Sequence, residues 1–320
     1  MDSEALVQLA LQAQSCSQKE LAITLNVSPT QVSKWKKGEH MSREMEDRLR
    51  ALAKIGDQQP SFVYWAGSPE NAKKWDKLFH HLARNANDSA ETGYETQPLN
   101  DDLGLLSWST FDVLREMGVA IPSKFPGDLD FDYDEIYFDD EDDTKETALE
   151  RNPHATLVYK IYKSLNDVYG FYAAYVAELM MDEDLELFDT DAENIEASLI
   201  LLAASKLEVE PAFAPKFTEF KRRTTKEFEE WLNIVKDKAF RAGIPLRAEL
   251  LNMVYSSHGA LGVEAERESL GFNSSRIHPD VYMNELLCGM RAIHQVLPAI
   301  LKKLGIEDEF KLDTSEFYLG

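Results

Sequence analysis

Apolar residues recur every three or four positions over most of this chain, the spacing of one buried helix face. Near the front, Leu21, Ala22 and Leu25 line one side of a segment that follows Ser17, and Val32 and Trp35 line one side of the next. Ser17 with Glu20 has the form of a capping box. Ser28 is placed to cap the second helix, and Pro29 falls in its first turn, where a missing N–H costs nothing. Between the two, Asn26 stands where a tight turn between helices needs a residue tolerant of positive φ. Gly38 is the predicted stop. A further amphipathic helix is expected from Ser42, again a cap followed by Glu, with Met45, Leu49, Leu52 and Ile55 facing inward.

Further along, the pattern predicts a helix from Pro69 that turns Trp75, Leu78 and Leu82 to a neighbour. Tyr64 and Trp65 before it are read as packing residues. Residues 83–102 are polar and weakly periodic, and are read as a loop or linker. LSWSTFDVLREMG predicts a short helix stopped by Gly118. From residue 127 acidic residues alternate with Leu129, Phe131 and Tyr133, a period of two that suits a strand or an extended edge. Residues 155–181 read as one interrupted helix, or a strand followed by a helix. Residues 191–207 predict a helix with acids in its first turn and an aliphatic stripe, and residues 224–243 one with Phe228, Trp231, Leu232 and Val235 inward. Pro245 opens another. The last runs from Pro279 to Leu304 with Met283, Leu287, Met290, Ile293, Leu297 and Ile300 on its inner line, kinked at Pro298. The fold expected is mainly α: a helical front domain, then a large, mostly helical domain with at most a minor β element.

Charge divides the 320 residues unevenly. The chain holds 57 acidic and 34 basic residues, a net charge of −23. Residues 1–60 carry eight of the Lys/Arg and eight of the Asp/Glu, so the whole deficit lies beyond residue 60. With Gly, Pro and polar residues at 56–60, this places a boundary there. The expected domains are 1–60; then 61–102, a helix plus polar linker; then 103–320, acidic and mostly helical. The last contains an acidic loop at 127–150, where twelve Asp/Glu accompany one lysine. That stretch is read as a solvated loop, with a docking surface for a basic partner or a DNA-mimicking patch left open.

The front segment resembles the lambda-repressor/Cro type of helix-turn-helix, the XRE family. The resemblance rests on Gln18 and Glu20-Leu21-Ala22, on Val27-Ser28 after the turn, and on Val32-Ser33-Lys34-Trp35 closing with Gly38. It covers roughly residues 4–56, with Asn26 where the family usually has glycine. It implies a DNA-binding domain with Leu21, Ala22, Val32 and Trp35 as its core. Thr30 and Gln31 are placed to meet base edges or methyl groups, Lys34 guanine acceptors or a phosphate, and Pro29 a thymine methyl. The family's pattern adds Gln18, at its helix start, against a base or the backbone. Ser33, Lys36 and Lys37 are assigned to phosphates, which position a protein without specifying sequence. One such module offers little area, and proteins of this type read two half-sites about 34 Å apart as two-fold dimers. A homodimer is therefore expected.

Little else in the sequence points to chemistry. None of the seven histidines forms a compact metal signature, and GALG at 259–262 lacks the glycine spacing and lysine of a phosphate loop. Cys288 and His294 lie too far apart along a helix to be read as a nucleophilic pair. Asp128, Asp130 and Asp132 have the alternation of a calcium loop, but Tyr133 occupies its glycine position and Asp139 its closing glutamate. Neither catalysis nor a cofactor or metal is expected. The N-terminus lacks the positive charge of a signal peptide, no apolar run is long enough for a membrane, and Cys16 and Cys288 share no metal spacing. The function expected is a cytoplasmic, dimeric transcriptional regulator, a repressor that binds double-stranded DNA, with a basic protein as a possible inducer. Two alternatives stay open: an antitoxin-like neutralising module that uses the acidic body, and an accessory DNA-binding protein in replication or recombination.

Overall fold

The structure, a computed structural model, describes residues 2–90, 94–133, 143–242, 293 and 296–306. Among the described residues every regular element is helical and none is a strand. The chain divides into two compact units. One takes residues 1–91, 95–166 and 198–225, and the other residues 92–94, 167–197 and 226–320.

The first unit opens with four helices: α1 (Asp2–Ala13), α2 (Gln18–Leu25), α3 (Pro29–Trp35) and α4 (Arg43–Ala53). Asp2 and Glu4 in the first turn of α1 favour its N-terminal end. Ala5, Leu6, Val7, Leu9 and Ala10 are buried, because α1 packs on α4 and also on α5 (Pro60–Ala66). Ser42 caps α4 by accepting from the Met45 N–H. The third helical position is Met45 rather than Glu, so the cap is single and no box forms there. Leu49 and Ile55 are buried as expected, whereas Met45 and Leu52 are half-buried. Arg50 then folds the chain back, donating to the carbonyls of Gly56 and Gln58 at 3.2 and 2.8 Å.

α6 (Pro69–Asp88) follows a cap at Ser68 and packs against α5, α7 (Gln97–Asn100) and α8 (Leu106–Glu116). Trp75, Leu78 and Leu82 are buried as the spacing predicts. Trp75 forms the middle of an aromatic nest, with centroids 5.4 Å from Phe111, 5.5 Å from Phe79 and 5.0 Å from Phe125. The stretch 83–102 differs from the loop expected. Its first residues continue α6, and a short α7 follows, because Ala83, Ala86 and Leu99 find apolar neighbours that the polar composition hides. α8 ends before Gly118, whose φ of +82° makes the stop.

No strand forms at 127–133. Gly127–Leu129 is a single 3₁₀ turn. Leu129 and Tyr133 are both buried, and the Tyr133 hydroxyl donates to the Leu129 carbonyl at 2.6 Å. The period-two alternation thus marks two buried anchors on an irregular segment. α9 (Asp143–Arg151) and α10 (Pro153–Phe171) come next, and residues 134–142 lie outside the described residues. Within the first unit, α10 is pinned through buried polar pairs. Thr110 gives its proton to the Leu106 carbonyl, so the Tyr162 hydroxyl donates to Thr110, 2.6 Å away. Asn166 accepts from Thr96 and donates to the Ala86 carbonyl, each at 2.8 Å.

In the second unit α10 passes into a wider turn, Tyr172–Val176, with i→i+5 geometry, then α11 (Ala177–Met180). This is the interrupted helix rather than the strand alternative. The helix expected over 191–207 is broken. A 3₁₀ turn, Asp191–Glu193, leads into α12 (Asn194–Ala197), and α13 (Leu199–Ser205), in the first unit, starts after Ser198. α14 (Phe217–Arg241) begins earlier than predicted and buries Phe228, Leu232 and Val235, with Trp231 half-buried. Residues 296–304 are helical, but the inner line expected there is not buried. Ile293 is 62% and Ile300 46% exposed, so helical periodicity here does not mark a covered face. The helix expected after Pro245, and Met283, Leu287 and Met290, lie outside the described residues.

Candidate nucleic-acid interface

A two-helix corner is built at residues 17–38 by local chemistry. The Ser17 hydroxyl accepts from the Glu20 N–H, and the Glu20 carboxylate accepts from the Ser17 N–H at 2.7 Å, the reciprocal box. The Ser17 backbone N–H foremost, and the Ser17 side chain after it, hold the Glu20 carboxyl below its ordinary pKa. α2 ends at Asn26, which is left-handed at φ 56°. The Val27 N–H turns back to the Ala22 carbonyl at 2.9 Å, and the Ser28 hydroxyl accepts from the Gln31 N–H to start α3. Pro29 occupies the first turn without losing a bond.

This geometry sorts the side chains of α3. Leu21, Ala22, Val32 and Trp35 are all buried, Val32 completely, and α3 packs against α2 and α1. Pro29, Thr30, Lys34 and Lys37 are exposed, while Gln31, Ser33 and Lys36 are half-buried. Gln18 is half-buried at the first position of α2. Seven residues make only two turns, so α3 offers side chains rather than a dipole.

Past Trp35 the chain closes in a Schellman turn. With Gly38 at φ +88°, the Gly38 N–H bonds to the Trp35 carbonyl at 2.9 Å and the Glu39 N–H to the Lys34 carbonyl at 3.2 Å. The reversal lays Glu39 over Lys34, and their charged ends are 3.6 Å apart, each side chain about half exposed. Local spacing announced Gly38 but not this pair. Two other supports also escaped sequence reading. Arg48 on α4 donates to the Thr24 carbonyl at 3.3 Å, holding the end of α2, and Gln14 donates to the Leu52 carbonyl at 2.9 Å. Partners 24 and 38 positions apart leave no local signal.

The three alternating acids have separate partners: Asp128 accepts from Asn152 at 3.1 Å, Asp130 pairs with Lys74, and Asp132 lies 4.0 Å from Lys77. Among the described residues no three His, Cys, Asp or Glu gather as metal ligands. Cys288, His294 and residues 259–262 lie outside the described residues. Two adjacent histidines on α6 have opposite environments. The hydrogen bond from His80 to the Asp101 carboxylate, 3.0 Å, raises the His80 pKa to about 9 against the effect of burial. Burial pushes Asp101 up, but hydrogen bonds from His80 and the Leu106 and Leu105 N–H groups prevail, and its pKa is lowered. Burial, helped by Arg84, lowers His81 to about 4, and its Nε2 accepts from Asn85 at 3.1 Å.

Among the described residues no helix is long and apolar enough to cross a membrane. No family model, curated protein or solved structure matches this chain.

Proposed function

We propose that this chain is a cytoplasmic, sequence-specific DNA-binding regulator of transcription, a repressor working as a homodimer. Residues 4–56 are taken as a lambda-repressor/Cro-type unit in which α2 and α3 form a helix-turn-helix and α3 enters the major groove. The observation that carries the proposal is the division of α3. Val32 and Trp35 anchor it from behind, leaving Pro29, Thr30 and Lys34 in solvent and Gln31 partly so. Thr30 and Gln31 are assigned to base edges, Lys34 to guanine acceptors, and Pro29 to a thymine methyl. Gln18 sits where a second helix start meets a base or the backbone. Ser33, Lys36 and Lys37 are assigned to phosphates. Two copies supply two reading helices for half-sites about 34 Å apart. The acidic remainder is repelled by the duplex, which favours approach through the front segment, whose charges sum to zero.

The test is selection of bound sequences from random duplexes by the full-length protein. The whole chain is used because α1 packs on α5 as well as on α4. A palindromic motif should emerge. Gln31→Ala and Lys34→Ala should each relax it at specific positions, a loss of about 1–3 kcal/mol of discrimination per bidentate contact. Lys37→Ala should weaken all duplexes alike and reduce the salt slope by about one. An unaltered motif in both base-reading variants would move the reading surface elsewhere.

A further inference from the structure

We infer that Glu39 is a specificity-determining residue that turns Lys34 from a phosphate seeker into a base reader. The inference rests on the DNA-reading function proposed above. Its physical basis is the Schellman turn, which fixes the backbone of Glu39 against that of Lys34 and brings their charged ends to 3.6 Å. As an exposed ion pair it adds little to folding. Its consequence lies in binding.

A lysine ammonium has three N–H donors and no acceptor. The Glu39 carboxylate balances it from 3.6 Å as an ion pair, beyond hydrogen-bond distance, and leaves its donors available for the N7 and O6 of a guanine in the major groove. A guanine edge carries no net charge, so Lys34 engages it while still paired. A phosphate is different. It competes with Glu39 for the same cation, and the carboxylate repels it. Contacts of Lys34 with arbitrary backbone are thereby weakened, and with them the counterion release that drives non-specific binding. The front sixty residues sum to zero charge, so cancelling one cation on the reading face removes a sizeable share of that attraction. Among the described residues no carboxylate pairs with Lys36 or Lys37, which keep the role of phosphate contacts.

The experiment compares full-length wild type, Glu39→Gln, Lys34→Ala and the double variant. Each is titrated against the selected duplex and a random-sequence duplex over a range of salt. Glu39→Gln should tighten the random duplex by roughly threefold to tenfold, steepen its salt slope by about one, and change the selected duplex less. The selectivity ratio therefore falls. In the Lys34→Ala background the same change should have little effect on that ratio, because the cation it controls is gone. Equal tightening on both duplexes, or an undiminished effect without Lys34, would reduce Glu39 to a bulk negative charge and overturn the inference. Unaltered affinities in Glu39→Gln would overturn it too. In those cases the wild type still selects a motif and the DNA-reading function stands. Failure of the wild type to enrich any duplex removes both.

Discussion

Ser61 donates its hydroxyl proton to the Asp2 carboxylate, 3.0 Å away and 59 positions earlier in the chain. The same oxygen accepts from the Trp108 indole N–H at 3.1 Å. One hydroxyl on α5 thus joins the start of α1 to α8. Ser61→Ala should lower the unfolding free energy by about 1–3 kcal/mol, since a partly buried indole N–H and a carboxylate both lose a partner. Gln59, which reaches Asp2 only at 3.5 Å, serves as the control, and Gln59→Ala should change stability little. Urea unfolding of the full chain measures both. Equal effects would mean that the Ser61 hydroxyl does not tie these helices together.

At Asn26 the backbone is left-handed, φ 56°, between α2 and α3. A Cβ there is strained, and the Asn amide makes that strain tolerable. Asn26→Gly should be neutral or stabilising by a few tenths of a kcal/mol, and Asn26→Ala should cost about 1 kcal/mol. Thermal unfolding monitored by circular dichroism separates them. If alanine is as good as glycine, the turn does not have this conformation in solution.

The two histidines of α6 predict opposite limbs of a pH–stability profile. An unfolded imidazole titrates near 6.5. His80, raised to about 9, contributes stability in full below pH 6.5 and loses it as pH climbs through 9. The ring is over a third exposed, so solvent screening leaves about 1 kcal/mol. His81, lowered to about 4, contributes above pH 6.5 and loses its share as pH falls towards 4, on the order of 2–3 kcal/mol. Urea midpoints from pH 4 to 10 should show both declines. His80→Gln should flatten the alkaline one and His81→Asn the acidic one. Unmoved limbs in these variants would assign the pH dependence to other groups.

Burial separates two kinds of leucine. Leu49 is fully buried under α1, and Leu49→Ala should cost about 2–5 kcal/mol. Leu304 is 64% exposed, and Leu304→Gln should shift the unfolding free energy by less than about 0.5 kcal/mol. A large loss from Leu304→Gln would show that the side chain is covered in solution.

Legibility in the chain tracks the range of the forces involved. Ser17 with Glu20, Asn26, Ser28 with Pro29, and Gly38 each act within a few positions, and their effect on the corner could be read directly. The inward pair Val32 and Trp35 came from helical period. By contrast, Arg48 reaches a carbonyl 24 positions back, and Thr96 a side chain 70 positions on, with no local trace. Alternation at Leu129 and Tyr133 suggested a strand because pattern cannot distinguish a sheet face from two anchors dropped into a core. At Ile293 and Ile300 a helical stripe could be seen, but spacing alone does not say whether anything covers it.

The wide turn at Tyr172–Val176 has a consequence for chain length. Such a turn holds one residue more than an α-helical turn would over the same rise. Deleting one residue there would let α10 run straight into α11 with little rotation, because the wide turn is what absorbs the extra residue. Leu179 and Met180, now buried, would stay on the same side. A one-residue deletion elsewhere in α10, with no wide turn to absorb it, would instead turn everything after it by about 100°.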